Sequence, residues 1–294
     1  MTHLEDHIRT AGVLLEALPY IQSFRGNTFL IKVGGSAMED PALVDKLLRD
    51  VVFLEAVGIN PVIVHGGGKA ISRAMNEAGL QAQFIAGMRV TDAEAIRIVE
   101  ETLARVINPD IVNKINAFGG QAVGIPGTEV FQGERMSRID PETGTAADLG
   151  YVGSVADCKL GLIRAAVAGE YVPVVSPVAR DLNTGHALNV NADLAACALA
   201  KRLKAAKLIF LSDVLGVMRD PTDPESLISS LNAEEIERLK EQGIIKGGMI
   251  PKVDSSIESL RGGVGKVHLI DGRIPHALIL EIFTNAGIGT EIHL

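Results

Sequence analysis

Apolar and polar positions change along this chain in blocks, and the blocks take turns. "TFLIKVGG" is an apolar run that ends in glycines and predicts a short strand. "DPALVDKLLRDVVFLEAVG" follows with apolar residues Leu43, Leu47, Val51 and Leu54 at helical spacing. Asp40 is the expected N-cap of that helix, Pro41 lies in its first turn and Gly58 is its stop. "NPVIVHGGG" is again a strand ending in glycines, and "KAISRAMNEAG" again a helix. The alternation returns in "LIRAAVAGEYVPVVSPV" and "ALAKRLKAAKLIFLSDV". Strand and helix in regular succession predict a parallel sheet with helices on both faces. Before the first strand, His3 to Ile21 form an amphipathic segment carrying Leu4, Ile8, Val13, Leu14 and Leu18, with Pro19 expected to end it. Such a helix packs on its own domain or docks on another subunit. The middle, "AVGIPGTEVFQGERMSRIDPETGTAADLGYVGSV", has short β-like pieces among turn residues and predicts a hairpin excursion. The tail, "KVHLIDGRIPHALILEIFTNAGIGTEI", reads as strand, helix and a glycine-containing end.

Composition narrows the picture. A chain of 294 residues suits one large α/β domain or two modest lobes. Aromatics are 4% of the chain and tryptophan is absent, so a core drawn from the 47% apolar residues must be aliphatic, as parallel sheets require. The formal net charge of -8 argues against a basic nucleic-acid surface but leaves room for a local basic pocket. Cys158 and Cys197 lie in unrelated contexts and suggest neither a disulfide framework nor a zinc site. "MTHLEDHIRT" lacks the pattern of a signal peptide, and no apolar run approaches the ~18 residues of a membrane span. A cytoplasmic protein with no membrane partner is the expectation.

Four stretches carry candidate chemistry. Glycines after a parallel strand let backbone N–H groups approach an anion, and this chain repeats that arrangement at Gly34-Gly35 and at Gly66-Gly67-Gly68. Neither site matches the Walker P-loop or the GxGxxG dinucleotide pattern, and either alone could be a tight turn. Lys32 stands just before the first glycine pair, and Lys252 follows "KGGMIP". Lys32 is either a strand-end lysine facing solvent or a point charge for phosphate oxygens, and Lys252 is either an ordinary first-turn residue or its counterpart. A lysine near a helix N-terminus is electrostatically misplaced unless an anion lies close by. In "LNVNADLAACALA", Asn189, Asn191 and Asp193 either cap a helix or place an amide on a substrate and a carboxylate between cations. In "GMRVTD", Arg89 is either a carboxylate-binding fork or a surface arginine before a helix capped by Thr91.

Taken in order, "IKVGGSAM", "VIVHGGGKAIS", "GMRVTD", "LNVNADLAA", "LIFLSDVLGV" and "GGMIPKV" closely resemble the acetylglutamate kinases of the amino acid kinase family. The resemblance runs from about Ala11 to Ile292. It implies a three-layer αβα sandwich around an open, mostly parallel sheet. It also implies an acetylglutamate-binding lobe over residues 1–204, with the leading helix, and an ATP-binding lobe over residues 205–294. The implied reaction moves the γ-phosphoryl group of ATP to the side-chain carboxylate of N-acetyl-L-glutamate, an early step of arginine biosynthesis. By resemblance, Lys32 and Lys252 contact the transferring phosphoryl group and Asp193 orients both. Gly34, Gly35, Gly67 and Gly68 supply amides to phosphate or substrate oxygens. Arg89 binds a substrate carboxylate beside Asn189. Leu211, Ser212, Asp213 and Val214, with Gly248, match nucleotide-contacting positions. No residue is assigned to a metal; Mg²⁺ is expected to ride on ATP.

Elementary chemistry agrees with that assignment. An acceptor carboxylate, with an ordinary pKa of about 4.3, is ionised at neutral pH and needs no general base. What it needs is cancellation of charge between two anions and in-line alignment. His65 accordingly reads as a residue that fixes its loop or packs at the strand end, not as a base. The leading helix resembles that of the arginine-inhibited members, in which such helices interlace dimers into a hexameric ring. Lys207, His268, Glu281 and Gly287 match the effector region of that type, with Glu281 the expected partner of an arginine guanidinium. Some similar enzymes bind a PII signalling protein, and nothing in this sequence decides that. The alternatives are another amino acid kinase acting on aspartate, glutamate, carbamate or a nucleotide, a non-catalytic arginine or signalling-protein sensor that keeps the fold, and a dinucleotide oxidoreductase, which the missing GxGxxG and acidic ribose partner disfavour.

Overall fold

The computed structural model describes residues 3–85, 87–139, 146–285 and 287–294. Helix α1 (His3–Phe24) leads into strand β1 (Thr28–Val33), then α2 (Pro41–Ala56), β2 (Asn60–His65) and α3 (Gly68–Glu77). A short hairpin, β3 (Phe84–Ile85) and β4 (Met88–Arg89), precedes α4 (Ala93–Glu101). That helix passes through a π-helical segment, Thr102–Ile107, into α5 (Asn108–Ala117) and β5 (Ala122–Ile125). Short strands β6 (Phe131–Arg135), β7 (Arg138–Ile139), β8 (Ala146–Ala147) and β9 (Val152–Cys158) follow. Next come α6 (Gly161–Ala168), β10 (Val172–Val175), β11 (Val178–Asp181), β12 (Ala187–Val190) and α7 (Ala192–Leu203). The rest is β13 (Lys207–Ser212), β14 (Ser230–Asn232), α8 (Ala233–Glu241), α9 (Met249–Arg261), β15 (Lys266–Asp271), α10 (Ala277–Ile282) and β16 (Thr290–His293).

Eight strands form the main sheet in the order β14-β16-β15-β13-β1-β2-β10-β5. It is parallel except where β16 runs antiparallel to β15, so the mostly parallel sheet covered by helices is the architecture observed. Strand alternation sorts β1 between the two layers: Leu30 enters the core that includes Ala195 and Ala196 of α7, while Phe29 and Ile31 enter the core that includes Leu47 and Val51 of α2. All three β1 residues are fully buried, and each contributes about 1.5–3 kcal/mol by leaving water. The same alternation places Lys32 on the Leu30 side, toward α7. Chain order reverses between β1 and β13: β2 lies on one side of β1, and β13 and β15 on the other. Such a switch point opens a crevice at the carboxyl ends of the strands.

Three local expectations are corrected. Helix α1 does not end at Pro19 but continues to Phe24. Tyr20, Ile21 and Phe24 pack on the core beyond the proline, and Phe24 meets Phe29 edge-on at 5.4 Å. That packing outweighs a helix-interior proline's cost of about 3 kcal/mol. The helix after "GMRVTD" is capped by Asp92, whose Oδ1 accepts from the N–H groups of Glu94 and Ala95, and not by Thr91. The middle excursion is more than a hairpin. β6 and β9 pair antiparallel, but β11 and β12 return to close them into a four-stranded barrel. Asp40 caps α2 as expected, accepting from Ala42 N–H at 2.8 Å, with Pro41 in the first turn. Both cysteines are free and buried.

Candidate functional site

The crevice at the ends of β1, β2 and β12 holds a cavity lined by Lys32, Gly34, Gly35, Gly66, Gly67, Gly68, Arg89, Asn189 and Asp193 among others. Local structure explains why each side chain arrives there. Asn191, not Asp193, caps α7, its Oδ1 accepting from the N–H groups of Asp193 and Leu194. The Asp193 carboxylate, in the first turn, is thereby left for cations. Lys32 Nζ lies 2.8 Å from Asp193 Oδ1, and Lys252 Nζ donates to Asp193 Oδ2 at 2.8 Å. The three side chains are only 12%, 21% and 23% exposed for Lys32, Asp193 and Lys252. Burial alone would raise the pKa of Asp193, but Lys32 and Lys252 overcome it and hold the carboxyl below its ordinary value. Lys252 sits in the first turn of α9, where a cation is unfavourable without an anion, and Asp193 is that anion.

The first glycine loop makes room for Lys32. A Cβ at Gly34 would stand 2.6 Å from Lys32 Nζ, so a side chain there would push the ammonium from its present place beside Asp193. Gly66 N–H donates to the Val33 carbonyl at 2.6 Å and ties the second glycine loop to the first.

Arg89 is buried, donating to the Gly68 carbonyl at 2.9 Å and to Ser72 Oγ at 2.8 Å. Its guanidinium stacks over Phe84 of the β3–β4 hairpin at 4.8 Å. Burial lowers its pKa from the ordinary arginine value, yet a guanidinium stays charged at neutral pH. Asn189 Nδ2 donates to Thr91 Oγ1 at 3.1 Å, and Thr91 in turn donates to the Arg89 carbonyl at 2.8 Å. Thr91 therefore links the two residues expected to hold the substrate carboxylate, a role its sequence context did not signal. Two lysines on one carboxylate, with Arg89 in the same cavity wall, leave a local excess of positive charge in a chain that is acidic overall. That excess is what a polyanion requires.

The expected nucleotide positions lie on the same sheet edge but outside this cavity. Leu211 and Ser212 end β13, with Leu211 in register with Val33 on one side and Ile270 on the other. Ser212 is buried, Asp213 is exposed and Val214 is half-buried just beyond. Gly248 stands at the N-cap of α9, four residues before Lys252. Beside them Arg273 grips Asp271 through two parallel hydrogen bonds of 2.7 and 2.9 Å, a pair with no recognisable signal in the sequence.

A second cavity gathers Lys207, His268, Glu281 and Gly287, with Tyr20 and Phe24 of α1 at the same wall. Lys207 Nζ donates to His268 Nε2 at 2.8 Å, and His268 Nδ1 donates to Glu281 Oε1 at 2.6 Å. Glu281 Oε2 accepts from the N–H groups of Ile288 and Gly289. Burial pushes the Lys207 ammonium down to about 8. Both oxygens of Glu281 are already engaged, so a bidentate grip on a guanidinium would have to exchange one of these bonds. Among the described residues, no group of three or more His, Cys, Asp or Glu is arranged to hold a metal ion. No helix among them is long and apolar enough to cross a membrane.

The sequence model of the amino acid kinase family matches residues 27–271. The chain belongs to the amino acid kinase family. An acetylglutamate kinase of Akkermansia muciniphila is 57% identical over 285 residues, covering 97% of this chain and 96% of that protein. One of Methanocaldococcus jannaschii is 47% identical over 292 residues, covering 98% and 97%. Among solved structures, N-acetylglutamate synthase from Neisseria gonorrhoeae, complexed with coenzyme A and N-acetyl-glutamate, superposes with a TM-score of 0.82 at 24% identity. This chain is covered to 97% there but spans only 63% of that protein. A carbamate kinase from Giardia lamblia bound to AMP-PNP superposes with a TM-score of 0.66 at 17% identity, covering 91% and 98%. Those two likenesses establish the amino acid kinase fold.

Proposed function

We propose that the protein transfers the γ-phosphoryl group of ATP to the side-chain carboxylate of N-acetyl-L-glutamate, giving N-acetyl-L-glutamyl 5-phosphate and ADP, as a step of arginine biosynthesis. The observation that carries this reading is the pair of lysines closed on Asp193 beside a cavity that also holds Arg89. Near-full-length relatives named acetylglutamate kinase support it. In the step, a carboxylate oxygen forms a bond to the γ-phosphorus while the bond to the β–γ bridging oxygen breaks, its electron pair leaving on ADP. No proton has to move. The barrier is repulsion between anions, and preorganised cations lower it.

Lys32 and Lys252 face the phosphoryl oxygens and the leaving oxygen, and Asp193 keeps both ammonium groups in place. Arg89 and Asn189 receive the α-carboxylate end of the acceptor, and the amides of Gly34, Gly35, Gly67 and Gly68 receive phosphoryl and acceptor oxygens. Acetylglutamate occupies the half built from residues 1–204. ATP occupies the half built from residues 205–294, against Leu211, Ser212, Asp213, Val214 and Gly248. Asp193, the carboxylate at the centre, has both oxygens on lysines, so Mg²⁺ belongs to the nucleotide substrate, held by its phosphate oxygens.

Trapping the acyl phosphate with hydroxylamine tests the reading across N-acetyl-L-glutamate, free glutamate, aspartate and carbamate. Acetylglutamate should be turned over best. Equal or better use of free glutamate would refute the choice of acceptor.

A second reading concerns control. The second cavity supports L-arginine as a feedback inhibitor, because Glu281 and Glu291 at its wall can meet the cationic groups of that amino acid and Lys207 and Lys266 its carboxylate. Tyr20 and Phe24 bring α1 to that wall, while Leu4, Ile8, Val13, Leu14 and Leu15 of α1 are exposed. An apolar helix left open this way supports assembly of dimers into a hexamer through α1.

A further inference from the structure

One buried group under the first cavity takes no part in the chemistry above. His65 is fully buried at the end of β2, in a place where a charged or idle imidazole is costly. Its Nδ1 lies 2.9 Å from the Gly66 carbonyl, and its Nε2 lies 3.2 Å from Asn108 Nδ2. A carbonyl can only accept and an amide NH₂ can only donate, so these neighbours admit one arrangement. Nδ1 carries the proton and donates to Gly66; Nε2 is bare and accepts from Asn108. Asn108 also donates to the Val174 carbonyl at 2.8 Å, which ties the chain of bonds to β10.

The consequence reaches the cavity through peptide planarity. The Gly66 carbonyl and the Gly67 N–H belong to one trans peptide and point in opposite directions. With the carbonyl held by His65, the Gly67 N–H is turned the other way, and Gly67 lines the cavity. The other side of the peptide is braced as well. A Cβ at Gly67 would stand 2.6 Å from both Leu103 Cδ2 and Ile107 Cδ1, which belong to the π-helical segment. The wider turn of such a segment alters the face that the next residues present, and π-bulges recur at functional sites. Here the residue immediately after it is Asn108.

We propose that His65 and Asn108 are positioning residues for phosphoryl transfer: held as the Nδ1–H tautomer by Asn108, His65 locks the Gly66–Gly67 peptide with its N–H toward the reacting oxygens. This rests on the kinase reading of the same cavity. An N–H aimed in advance is worth most in the transition state, so its loss lowers kcat and leaves substrate binding nearly intact. Burial, which lowers the pKa of His65 to about 4 despite the Gly66 carbonyl, keeps the ring neutral in the working range.

The test has two arms on the full-length protein. In the first, histidine-labelled wild-type protein is read by ¹⁵N NMR between about pH 6 and 8. The expected His65 signal is a neutral Nδ1–H ring that does not change across the range. In the second, His65→Leu removes the donor, and His65→Asn returns an amide nitrogen to the place of Nδ1. The leucine variant should lose roughly 10- to 100-fold in kcat with KM for ATP little changed, and the asparagine variant should recover most of it. An Nε2–H ring, a folded leucine variant with wild-type kcat, or an asparagine variant no better than leucine would each overturn the proposal. If the leucine variant does not fold, the tautomer and the kcat of the asparagine variant decide. Wild-type protein that transfers no phosphoryl group would sink the kinase reading instead, and the NMR arm would then judge the His65 geometry by itself.

Discussion

Two charged clusters of this molecule are both built from basic and acidic side chains and do opposite things with them. Around Asp193 two lysines share one carboxylate, and Arg89 adds a third cation to the same cavity. Around Glu281 a single buried lysine, a histidine and a carboxylate form a chain in which each donor finds an acceptor. The first cluster is left with positive charge that an incoming anion can satisfy. The second is nearly neutral within itself, and nearby Lys266 and Glu291 already pair with each other. Unbalanced charge held in a half-buried place marks a site for a charged reaction, because the structure tolerates it only where a ligand or a transition state completes it. Balanced charge suits a ligand that carries both signs, or a strut.

The sharpest way to break this contrast is to remove a cation from the first cluster. Lys32→Ala should lower kcat by at least about 100- to 1,000-fold with the fold retained, since it removes a preorganised charge from the transferring group. Circular dichroism and a phosphoryl-transfer assay check it, and unchanged turnover would erase the distinction. Asp193→Asn should fall in the same range, because both lysines lose their anchor.

Changing the second cluster should leave basal turnover near wild type and act on control. Glu281→Gln should raise the arginine concentration needed for half-inhibition in the proposed control by roughly 10- to 150-fold, the cost of losing one hydrogen bond to a charged group. On the proposed assembly through α1, deleting the chain through Glu16 should weaken the proposed arginine response and lower the mass from hexamer to dimer, as read by light scattering. A truncated protein that stayed hexameric would remove α1 from the account.

The smallest effect separates the buried His65 from the buried His268 by stability. In the folded protein His65 protonates only near pH 4, and its ordinary value is 6.5. Its folded pKa is depressed, so the stabilisation is complete above about pH 6.5 and is lost as pH falls toward 4, by on the order of 3 kcal/mol. His65→Asn should flatten that part of the profile in urea midpoints measured at matched pH. His268 is also held below its ordinary value by burial, but Glu281 opposes the shift. The same substitution there should flatten the acid limb less.

The alternation of elements was legible because strand and helix periodicity are local properties, and Asp40 capped its helix as its neighbours dictated. Local rules failed where packing overrode them. Pro19 should have ended α1, yet Tyr20 and Phe24 hold the helix beyond it. Thr91 looked like a cap, but Asp92 was the better acceptor and Thr91 was drawn inward to Asn189. Asn108 carried no readable signal, because its value lies in reaching from α5 to His65 of β2 and Val174 of β10.

By itself, then, the order of residues determined the parallel α/β architecture, the glycine loops at strand ends and the kinds of side chain available for chemistry. These follow from backbone sterics and the alternation of apolar positions within a few residues. Only the tertiary structure decided which charges meet. Lys32, Asp193 and Lys252 come from three distant elements, and crossover connections bring β1, α7 and α9 to one edge of the sheet. A Coulomb interaction depends on distance in space and on the water excluded around it, and neither is written in sequence separation.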